Sequence, residues 1–376
     1  MSCASPEQRP AEAERRQQLT GDSMWEKMIA YILTHGDALL VQIGTHLWIS
    51  LAALAAAILI GAPCGYLAAD SPGIEKWISA PFHVLRVIPS LAILVLLIPI
   101  AGLSPSVTFP RILGIECVGE IAETTDPARL PVGQKVISIM GEMGRAFDGG
   151  YSEYTLLPNR QICPVQTDLD WKTLAALPET YYTAYGSMLN LRIADSVGDG
   201  MPPRILVRGA TSGVGVAFLR LLKGRWPELA VAGSTRSMKK ETQLREAGFD
   251  EVILDADGIL QTKNQFDHVL ELIGPATLRN TFSHVAEGGI VCSTGQLGGQ
   301  WYLNDFDPIM ELPANGYLTS FYSGNVDPQR LQSLLDYVEK YGIDPAPERV
   351  FSLAQVPEAH AYLESAHSFG KVIVVI

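Results

Sequence analysis

The chain has 376 residues, a net charge of -12 and a mean hydropathy of +0.16. This length accommodates two or three domains, and so high a mean hydropathy in an acidic chain indicates that apolar residues are concentrated in one part of it. An acidic chain without a cluster of Lys and Arg is not expected to bind nucleic acid, because phosphate binding requires such clusters.

The five cysteines are scattered along the chain and contain no CxxC pair. Neither a disulfide framework nor a zinc knuckle is indicated, and a reducing compartment fits best. Residues 1–23 are rich in Glu, Gln and Arg and hold no apolar stretch, so they predict a disordered tail rather than a secretory signal.

Two apolar segments follow the tail. No Asp, Glu, Lys or Arg occurs from Ala38 to Ala69, nor from Val87 to Leu103. The first segment is long enough to cross a hydrocarbon core of about 30 Å as a helix. The sequence predicts two membrane spans, at about 41–69 and 87–103, with a buried helix of a soluble protein as the alternative. The expected location is the cell inner (plasma) membrane. A weak excess of positive charge before the first span predicts that the C-terminal domain is cytoplasmic.

After Pro110 the sequence alternates short β-rich runs with glycines. The runs are "RILGIECVGEIAE", "GQKVISIMG" and "GGYSEYTLLP". Such a pattern is typical of a small antiparallel β-domain.

From Arg204 onward the pattern changes to β-α units. "RILVRGATSGVGVAFLRLLKG" predicts a buried strand at Ile205–Val207, a glycine-rich turn and then a helix. Further apolar strands are predicted in "LAVAGSTRS", "EVILD", "HVLELIG" and "GGIVCSTG". The predicted fold class is therefore α/β, a doubly wound parallel (Rossmann) sheet preceded by a small β-domain and the apolar segments.

The glycine-rich turn is the first candidate site. Small residues at a strand-to-helix turn let the backbone approach a pyrophosphate at the helix N-terminus. Because glycine-rich turns are common, an ordinary turn stays open as an alternative. The predicted cofactor-binding residues here are Ala210, Thr211, Ser212, Gly213, Val214 and Gly215.

The end of the second strand of this unit predicts the cofactor. An enzyme that uses NADH places Asp or Glu there to hold the ribose 2′-hydroxyl, whereas this chain has "GSTRSMKK". Donors and positive charge suit a 2′-phosphate, so NADPH is favoured over NADH. A solvated start of a helix is the alternative. The predicted phosphate-binding residues are Thr235, Arg236, Ser237 and Lys240.

Residues from about 109 to 376 resemble a known family. The motifs "LGIECVGEI", "FDGGYSEY", "LPETYYTAYGSM", "VRGATSGVG", "STRSMKK", "LELIG" and "FGKVIVVI" resemble the medium-chain dehydrogenase/reductase superfamily, in its quinone oxidoreductase (zeta-crystallin-like) branch. The resemblance implies a partial, truncated GroES-like catalytic domain at 106–190 and 341–376 around an NADPH-binding Rossmann domain at 191–340. A homodimer is left open.

The resemblance also implies further site residues. It places Thr183 near the nicotinamide ribose, Ile273 near the adenine-side ribose and Gly295 under the ring, with the loop 318–324 near the carboxamide. Packing roles for these residues stay open. The aromatic cluster Tyr181, Tyr182 and Tyr185 is predicted either to line the substrate cleft or to belong to the core. No catalytic residue is predicted.

Zinc is not expected from the same resemblance. Zinc enzymes of this superfamily carry a His ligand in a Gly-His-Glu motif, and the matching position here is Ile115. They also carry a lobe of four cysteines, and the corresponding stretch from Val136 to Tyr154 has none. The sequence predicts no bound metal.

The segment at 24–105 resembles the opening of the permease subunit of osmoprotectant-type ABC importers. The resemblance rests on "THLWISLAALAAAILIGAPCGYLAA" and "RVIPSLAILVLLIPIAGL". The loop that seats the ATPase in that family is missing, which implies a permease fragment, with a plain membrane anchor as the alternative. The join near 104–108 predicts two coding regions fused in frame, each truncated at the seam.

The sequence therefore predicts a zinc-independent, NADPH-dependent oxidoreductase that reduces a quinone or an enone by hydride transfer and is attached to a membrane by two N-terminal spans. Its expected partner is the small-molecule substrate. The alternatives are a transporter component and a chimeric product with only residual NADPH binding.

Overall fold

The computed structural model describes residues 111–198, 201–365 and 368–376. The chain divides into two units, Met1–Leu103 and Ser104–Ile376, and every described residue belongs to the second. The predicted tail (1–23), the permease-like segment (24–105) and both predicted spans lie outside the described residues. Within the described ranges, no helix combines the length and the apolar character that a bilayer crossing requires.

The larger sheet has seven strands, numbered by their place in the chain: β4 (Ile205–Arg208), β5 (Val231–Thr235), β6 (Glu251–Ala256), β7 (Ile259–Leu260), β8 (Phe266–Glu271), β9 (Val285–Ser293) and β10 (Tyr317–Ser320). Their order in the sheet is β10-β9-β8-β4-β5-β6-β7. Neighbouring strands pair in parallel, apart from β6 and β7, which are antiparallel.

Burial on both faces explains why these apolar runs form the interior strands. All four residues of β4 and all five of β5 are buried, as expected for a parallel sheet covered by helices. The chain turns from β4 towards β5 and β6 on one side, and adds β8, β9 and β10 on the other. This reversal creates a crevice at the carboxyl ends of β4 and β8, where doubly wound sheets bind their ligands.

The described helices cover the sheet and the region before it. The helix at Pro178–Asn190 begins with proline, which suits the first turn because a backbone N–H there would have no partner within the helix. The helices are α1 (Trp171–Ala176), α2 (Pro178–Asn190), α3 (Ile193–Ser196), α4 (Gly213–Arg225), α5 (Glu241–Ala247), α6 (Pro275–Phe282), α7 (Pro308–Glu311), α8 (Pro328–Lys340) and α9 (Val356–Glu364).

The doubly wound sheet predicted from the sequence is confirmed. The strand predicted at Ile205–Val207 extends by one residue to Arg208, and each of the four later apolar runs overlaps one of β5, β6, β8 and β9. The boundaries predicted for the two domains, 106–190 with 341–376 and 191–340, stay predictions.

A small antiparallel sheet precedes the large one. It consists of β1 (Glu116–Glu120), β2 (Lys135–Ile139) and β3 (Cys163–Pro164) in that order. The last four residues of β2 are buried. The prediction of a small β-domain after Pro110 is therefore confirmed for two of its three predicted runs.

The third predicted run, "GGYSEYTLLP", is not a strand. Residues 151–154 form bends, and the backbone N–H groups of Gly149, Gly150 and Tyr151 donate to carbonyls of residues 112–114 at 2.8, 3.1 and 3.0 Å. These bonds do not form a ladder. The alternation of apolar and polar residues was therefore misleading, because a strand also needs a partner edge, and residues 152–158 pair with none among the described residues.

The C-terminal run "GKVIVVI" returns to β structure as predicted. Strand β12 (Val372–Val375) pairs in parallel with β11 (Arg349–Ser352) and forms a separate two-stranded sheet.

Candidate functional site

The glycine-rich turn between β4 and α4 depends on glycine at two positions. Gly209 has φ +88°, a conformation that L side chains rarely adopt, and an added Cβ on it would lie 3.2 Å from Leu272 Cβ. A Cβ on Gly215 would lie 2.9 Å from the Cα and the carbonyl oxygen of Ala210. Glycine is thus required at both positions, by backbone conformation in one case and by backbone packing in the other.

Ser212 caps the helix that follows this turn. Its Oγ accepts the N–H of Gly215 at 3.1 Å and donates to the carbonyl of Gly209 at 2.8 Å. The N–H of Val216 donates to the carbonyl of Ser212 at 3.0 Å. In the part of the chain that the structure describes, the first-turn N–H groups of Gly213 and Val214 donate to no carbonyl. They remain available to an anion at the positive end of the helix.

The other predicted residues of the turn contribute backbone rather than side chains. Ala210 is fully buried, and Val214 packs against the hydrophobic core. Thr211 is half-buried at the turn.

The four residues predicted to bind a phosphate lie at and just after the end of β5, and they differ in whether their side chains are already hydrogen-bonded. The Thr235 hydroxyl is buried and engaged, because it donates to the carbonyl of Ser237 at 3.1 Å and accepts its N–H at 3.2 Å. Lys240 Nζ donates to the carbonyl of Ser368 at 2.8 Å, and burial lowers the pKa of this amine. The Arg236 side chain is exposed, and no described residue pairs with its guanidinium. Arg236 is therefore the residue best placed to bind a phosphate.

The ends of β8 and β9 meet beside the glycine-rich turn. An added Cβ on Gly209 would lie 3.3 Å from Ile273 Cδ1, so Ile273 contacts the turn directly. An added Cβ on Gly295 would lie 2.2 Å from the carbonyl oxygen of Leu272. The structure thus brings Ile273 and Gly295, which are far apart in sequence from the glycine-rich turn, to the same edge of the sheet.

Thr183 joins this edge through hydrogen bonds that the sequence did not reveal. Ser187 Oγ lies 2.8 Å from the carbonyl oxygen of Thr183 and 2.9 Å from Thr294 Oγ1, just after β9. On its other side, Thr183 Oγ1 donates to Glu179 Oε1 at 3.2 Å, and Ser323 Oγ, just after β10, donates to the same oxygen at 2.7 Å. Helix α2 is thus tied to the carboxyl ends of β9 and β10.

A fully buried charged network lies beneath the turn and was also missed from the sequence. Arg208 Nη1 donates to Thr281 Oγ1 at 2.8 Å and to the carbonyl of Thr277 at 3.0 Å. Glu271 accepts the N–H groups of Ile273 and Gly274 at 2.8 and 3.1 Å. Burial raises the pKa of Glu271, and the nearby Arg208 opposes this shift. The sequence did hold a signal for this network, because Arg208 and Glu271 each follow apolar residues at the end of a strand.

The three tyrosines of α2 do not line a cleft. Tyr181, Tyr182 and Tyr185 are buried in the hydrophobic core. The hydroxyl of Tyr182 accepts the N–H of Asp327 at 2.8 Å. Of the two alternatives drawn from the sequence, the role in the substrate cleft is wrong and the core role is correct.

A separate cleft of about 1120 Å³ lies beside the small sheet. Its lining includes Glu116 and Lys371, which form an ion pair, together with Tyr151 and His360. None of the predicted cofactor residues lines it. This cleft is therefore distinct from the crevice at the carboxyl ends of the large sheet.

Two family models match the chain. The model of the alcohol dehydrogenase GroES-like domain matches residues 96–167, and that of zinc-binding dehydrogenases matches residues 247–374. The first match begins inside the second predicted span (87–103). The putative quinone oxidoreductase YhfP of Bacillus subtilis is 31% identical over 199 residues, which are 51% of this chain and 58% of that relative. The chain thus matches less than two thirds of that relative's length.

The solved structure of Bacillus subtilis YhfP with NAD bound aligns with a TM-score of 0.62 and 26% identity over 72% of this chain and 82% of that one. These matches support the medium-chain dehydrogenase/reductase superfamily for this chain. They also support its Rossmann-like sheet and GroES-like domain.

Two further proteins are similar at lower identity. The yhdH oxidoreductase from Salmonella enterica in complex with NADP aligns with a TM-score of 0.62 and 20% identity over 74% of this chain and 86% of that one, and shows the same fold. The quinone oxidoreductase of Homo sapiens is 24% identical over 237 residues, 61% of this chain and 70% of that relative. Neither family model reaches residues 1–95, and these matches do not support the permease resemblance.

The described residues do not fit a zinc ion. Ile115 occupies the position where the resemblance places a His ligand, and the neighbouring Glu116 is already paired with Lys371. In the described ranges no three side chains of His, Cys, Asp or Glu converge as a metal site would require. No step of the reaction is therefore derived through a metal, and zinc independence of the whole chain stays a prediction.

Proposed function

We propose that this chain is an NADPH-dependent oxidoreductase that reduces a quinone or an enone by hydride transfer. The observation that carries the proposal is the glycine-rich turn, capped by Ser212, together with the exposed Arg236 at the end of the neighbouring strand, whose guanidinium pairs with no described residue. Relatives named as quinone oxidoreductases, and solved neighbours in complex with NAD or NADP, support it.

The first turn of α4 would hold the pyrophosphate of the cofactor. Among the described residues, the N–H groups of Gly213 and Val214 donate to no carbonyl. Gly209 and Gly215 let the turn pack closely against Leu272 and Ala210, which holds these N–H groups in place. The positive end of the helix adds a favourable interaction with the anion.

Arg236 would select NADPH. A guanidinium presents a planar fork of donors that matches a phosphate, and no Asp or Glu occurs in "AGSTRSMKK" to prefer a free ribose hydroxyl. Ser237 is exposed beside it and offers a hydroxyl. Thr235 and Lys240 would contribute less, because each is engaged with a backbone carbonyl.

The other half of the cofactor would extend across the switch point of the sheet, over the ends of β8, β9 and β10. Gly295 and Thr183 would position the ring there and exclude water, whereas Ile273, which contacts the glycine-rich turn, would lie near the adenine-side ribose. When bound, the nicotinamide supplies the hydride. Since Ile115 stands where the resemblance places a His ligand to zinc, an acceptor already activated by conjugation is favoured.

The proposal is tested with the purified full chain, NADPH deuterated at C4 and a panel of quinones and enones. We expect loss of absorbance at 340 nm and, with an enone, deuterium on one carbon of the product. A Gly215→Val variant, whose side chain would collide with the backbone of Ala210, serves as the inactive control. Absence of NADPH binding and of turnover across the panel would overturn the proposal.

A further inference from the structure

The carboxylate of Glu179 holds together two elements that end at the crevice. Its Oε1 accepts the hydroxyl of Thr183 at 3.2 Å, within α2, and that of Ser323 at 2.7 Å, three positions beyond the end of β10. Glu179 itself lies in the first turn of α2 and is half-buried. One oxygen atom thus accepts hydrogen bonds from hydroxyl groups in two different parts of the chain.

This arrangement fixes the polarity of both hydroxyl groups. An ionised carboxylate only accepts hydrogen bonds, and each hydroxyl has a single proton to donate. Thr183 and Ser323 both use that proton in the hydrogen bond to Glu179. Their oxygen atoms can therefore only accept further hydrogen bonds. A ligand that binds them must therefore bring donors.

The position of the pair relative to the sheet indicates which part of a dinucleotide it would meet. The adenine side of a dinucleotide lies over β4 and β5, where the glycine-rich turn and Arg236 are, so the nicotinamide side lies over β8, β9 and β10. Ser323 follows β10, and Thr183 is linked through Ser187 to Thr294 after β9. The donors on that half of the cofactor are ribose hydroxyls and the carboxamide N–H groups.

The surroundings of Glu179 explain how its side chain is held. Its backbone N–H donates to Glu116 Oε2 on β1 at 2.7 Å, and Glu116 pairs with Lys371 just before β12. Its second oxygen, Oε2, is buried and has no hydrogen-bond partner among the described residues. Within the described ranges, the Glu179 carboxylate therefore accepts hydrogen bonds at Oε1 only.

We propose that Glu179 is a positioning residue that presents the oxygens of Thr183 and Ser323 as acceptors to the nicotinamide half of the cofactor. The inference rests on the proposed function and adds to it the residue that sets hydrogen-bond direction. Burial raises the pKa of Glu179, with Glu116 acting in the same direction and Lys371 opposing it. Protonation would remove the requirement that both hydroxyls donate to it.

The test compares two ligands on the full chain by equilibrium titration. NADPH reports both halves of the site, and adenosine 2′,5′-bisphosphate reports only the adenine half. For Glu179→Met, which removes the acceptor, we expect NADPH affinity to fall about tenfold with the bisphosphate unchanged. Glu179→Gln keeps an oxygen acceptor and should stay within about threefold of the unmodified chain for both ligands.

Rescue by Glu179→Gln is the readout that a purely structural or charge-based role would not give, because this variant removes the charge and keeps the oxygen acceptor. Should Glu179→Met fail to fold, Ser323→Ala replaces it, with the same selective loss expected. Ser283→Ala, whose hydroxyl donates only to the carbonyl of Asn280, is the matched control.

The outcomes separate the two proposals. If the unmodified chain binds neither ligand, the proposed function fails and this inference with it. If it binds both, the inference is overturned when neither Glu179→Met nor Ser323→Ala changes NADPH affinity, or when both ligands weaken equally in the folded variants. An equal loss in Glu179→Gln and Glu179→Met would also overturn it, because charge and not acceptor geometry would then matter.

Discussion

Arg208 and Asp255 form a two-point ion pair inside the large sheet, with Nε to Oδ2 at 2.8 Å and Nη2 to Oδ1 at 2.9 Å. Strand β5 lies between the strands that carry them, so the arginine reaches across a neighbouring strand. Its side chain is fully buried and lies directly before Gly209. The pair therefore supports the backbone from which the glycine-rich turn begins.

Loss of this arginine should destabilise the chain strongly. We expect Arg208→Met to lower the free energy of unfolding by about 3–5 kcal/mol, because Asp255 and Glu271 would be left buried without their cation. Arg245→Met breaks a surface pair with Glu241 and should change it by about 0.5 kcal/mol or less. Urea unfolding of both variants measures the difference, and similar effects would show that the buried pair has no special role.

Cofactor choice should depend on Arg236. Charge-assisted hydrogen bonds contribute on the order of 1.5 to 3 kcal/mol each, so Arg236→Ala should weaken NADPH binding by roughly 10-fold to 150-fold and leave NADH almost unchanged. Arg245→Ala removes a surface arginine that is already paired with Glu241 and is the control. Titration of both cofactors measures the effect. An equal loss for NADH and NADPH would mean that Arg236 is only a solvated helix start.

The predictable parts of the molecule are those whose signal is local. Strands such as β4 and β5 are short apolar runs because both faces are buried, and the turn at Gly209 is visible from its glycines. The position of Arg236 follows from the end of β5. These features depend on residues close together in sequence.

The parts that sequence reasoning missed depend on distant partners. Glu179 meets Ser323 across 144 positions, and Ser187 meets Thr294 across 107. Ser, Thr and Glu are common on helices and loops, so their residue types gave no signal. The run "GGYSEYTLLP" failed for the opposite reason: its local pattern suits a strand, but no partner edge is available to it among the described residues.

The thiol of Cys117 should be unreactive. Burial, with the charge of Glu116 acting in the same direction, raises its pKa to about 11. At pH 8 its thiolate fraction, and hence its alkylation by iodoacetamide, should be on the order of 100-fold lower than for an ordinary thiol. Peptide mapping by mass spectrometry gives the rate, with the urea-unfolded chain as reference. Equal rates in folded and unfolded chains would contradict the prediction.

His268 should make the fold sensitive to acid. Burial lowers its pKa below the ordinary value of 6.5, and Nε2 lies 2.9 Å from Ser196 Oγ. A depressed pKa means that the unfolded chain binds the proton more readily, so the stability from neutral His268 is present above about pH 6.5 and is lost as the pH falls below it. The difference in thermal midpoint between the unmodified chain and His268→Gln should narrow from pH 8 to pH 5. A constant difference would rule out this linkage.

The anion-binding role of the glycine-rich turn can be isolated at Ser212. Both Asp and Asn cap helices well, so Ser212→Asp and Ser212→Asn should keep the cap on the N–H of Gly215. Only the aspartate adds a negative charge where the pyrophosphate is expected. Two unit charges about 4 Å apart interact by about 4 kcal/mol at an effective dielectric constant of about 20.

The dissociation constant of NADPH for these two variants of the full chain, measured by isothermal titration calorimetry, is the most direct test of a dinucleotide site at this turn. We expect Ser212→Asn to bind NADPH within a few-fold of the unmodified chain and Ser212→Asp to bind at least about tenfold more weakly than Ser212→Asn, with similar thermal stability. Equal NADPH affinity in the two variants would contradict a dinucleotide site at this turn, because the phosphates would then lie elsewhere.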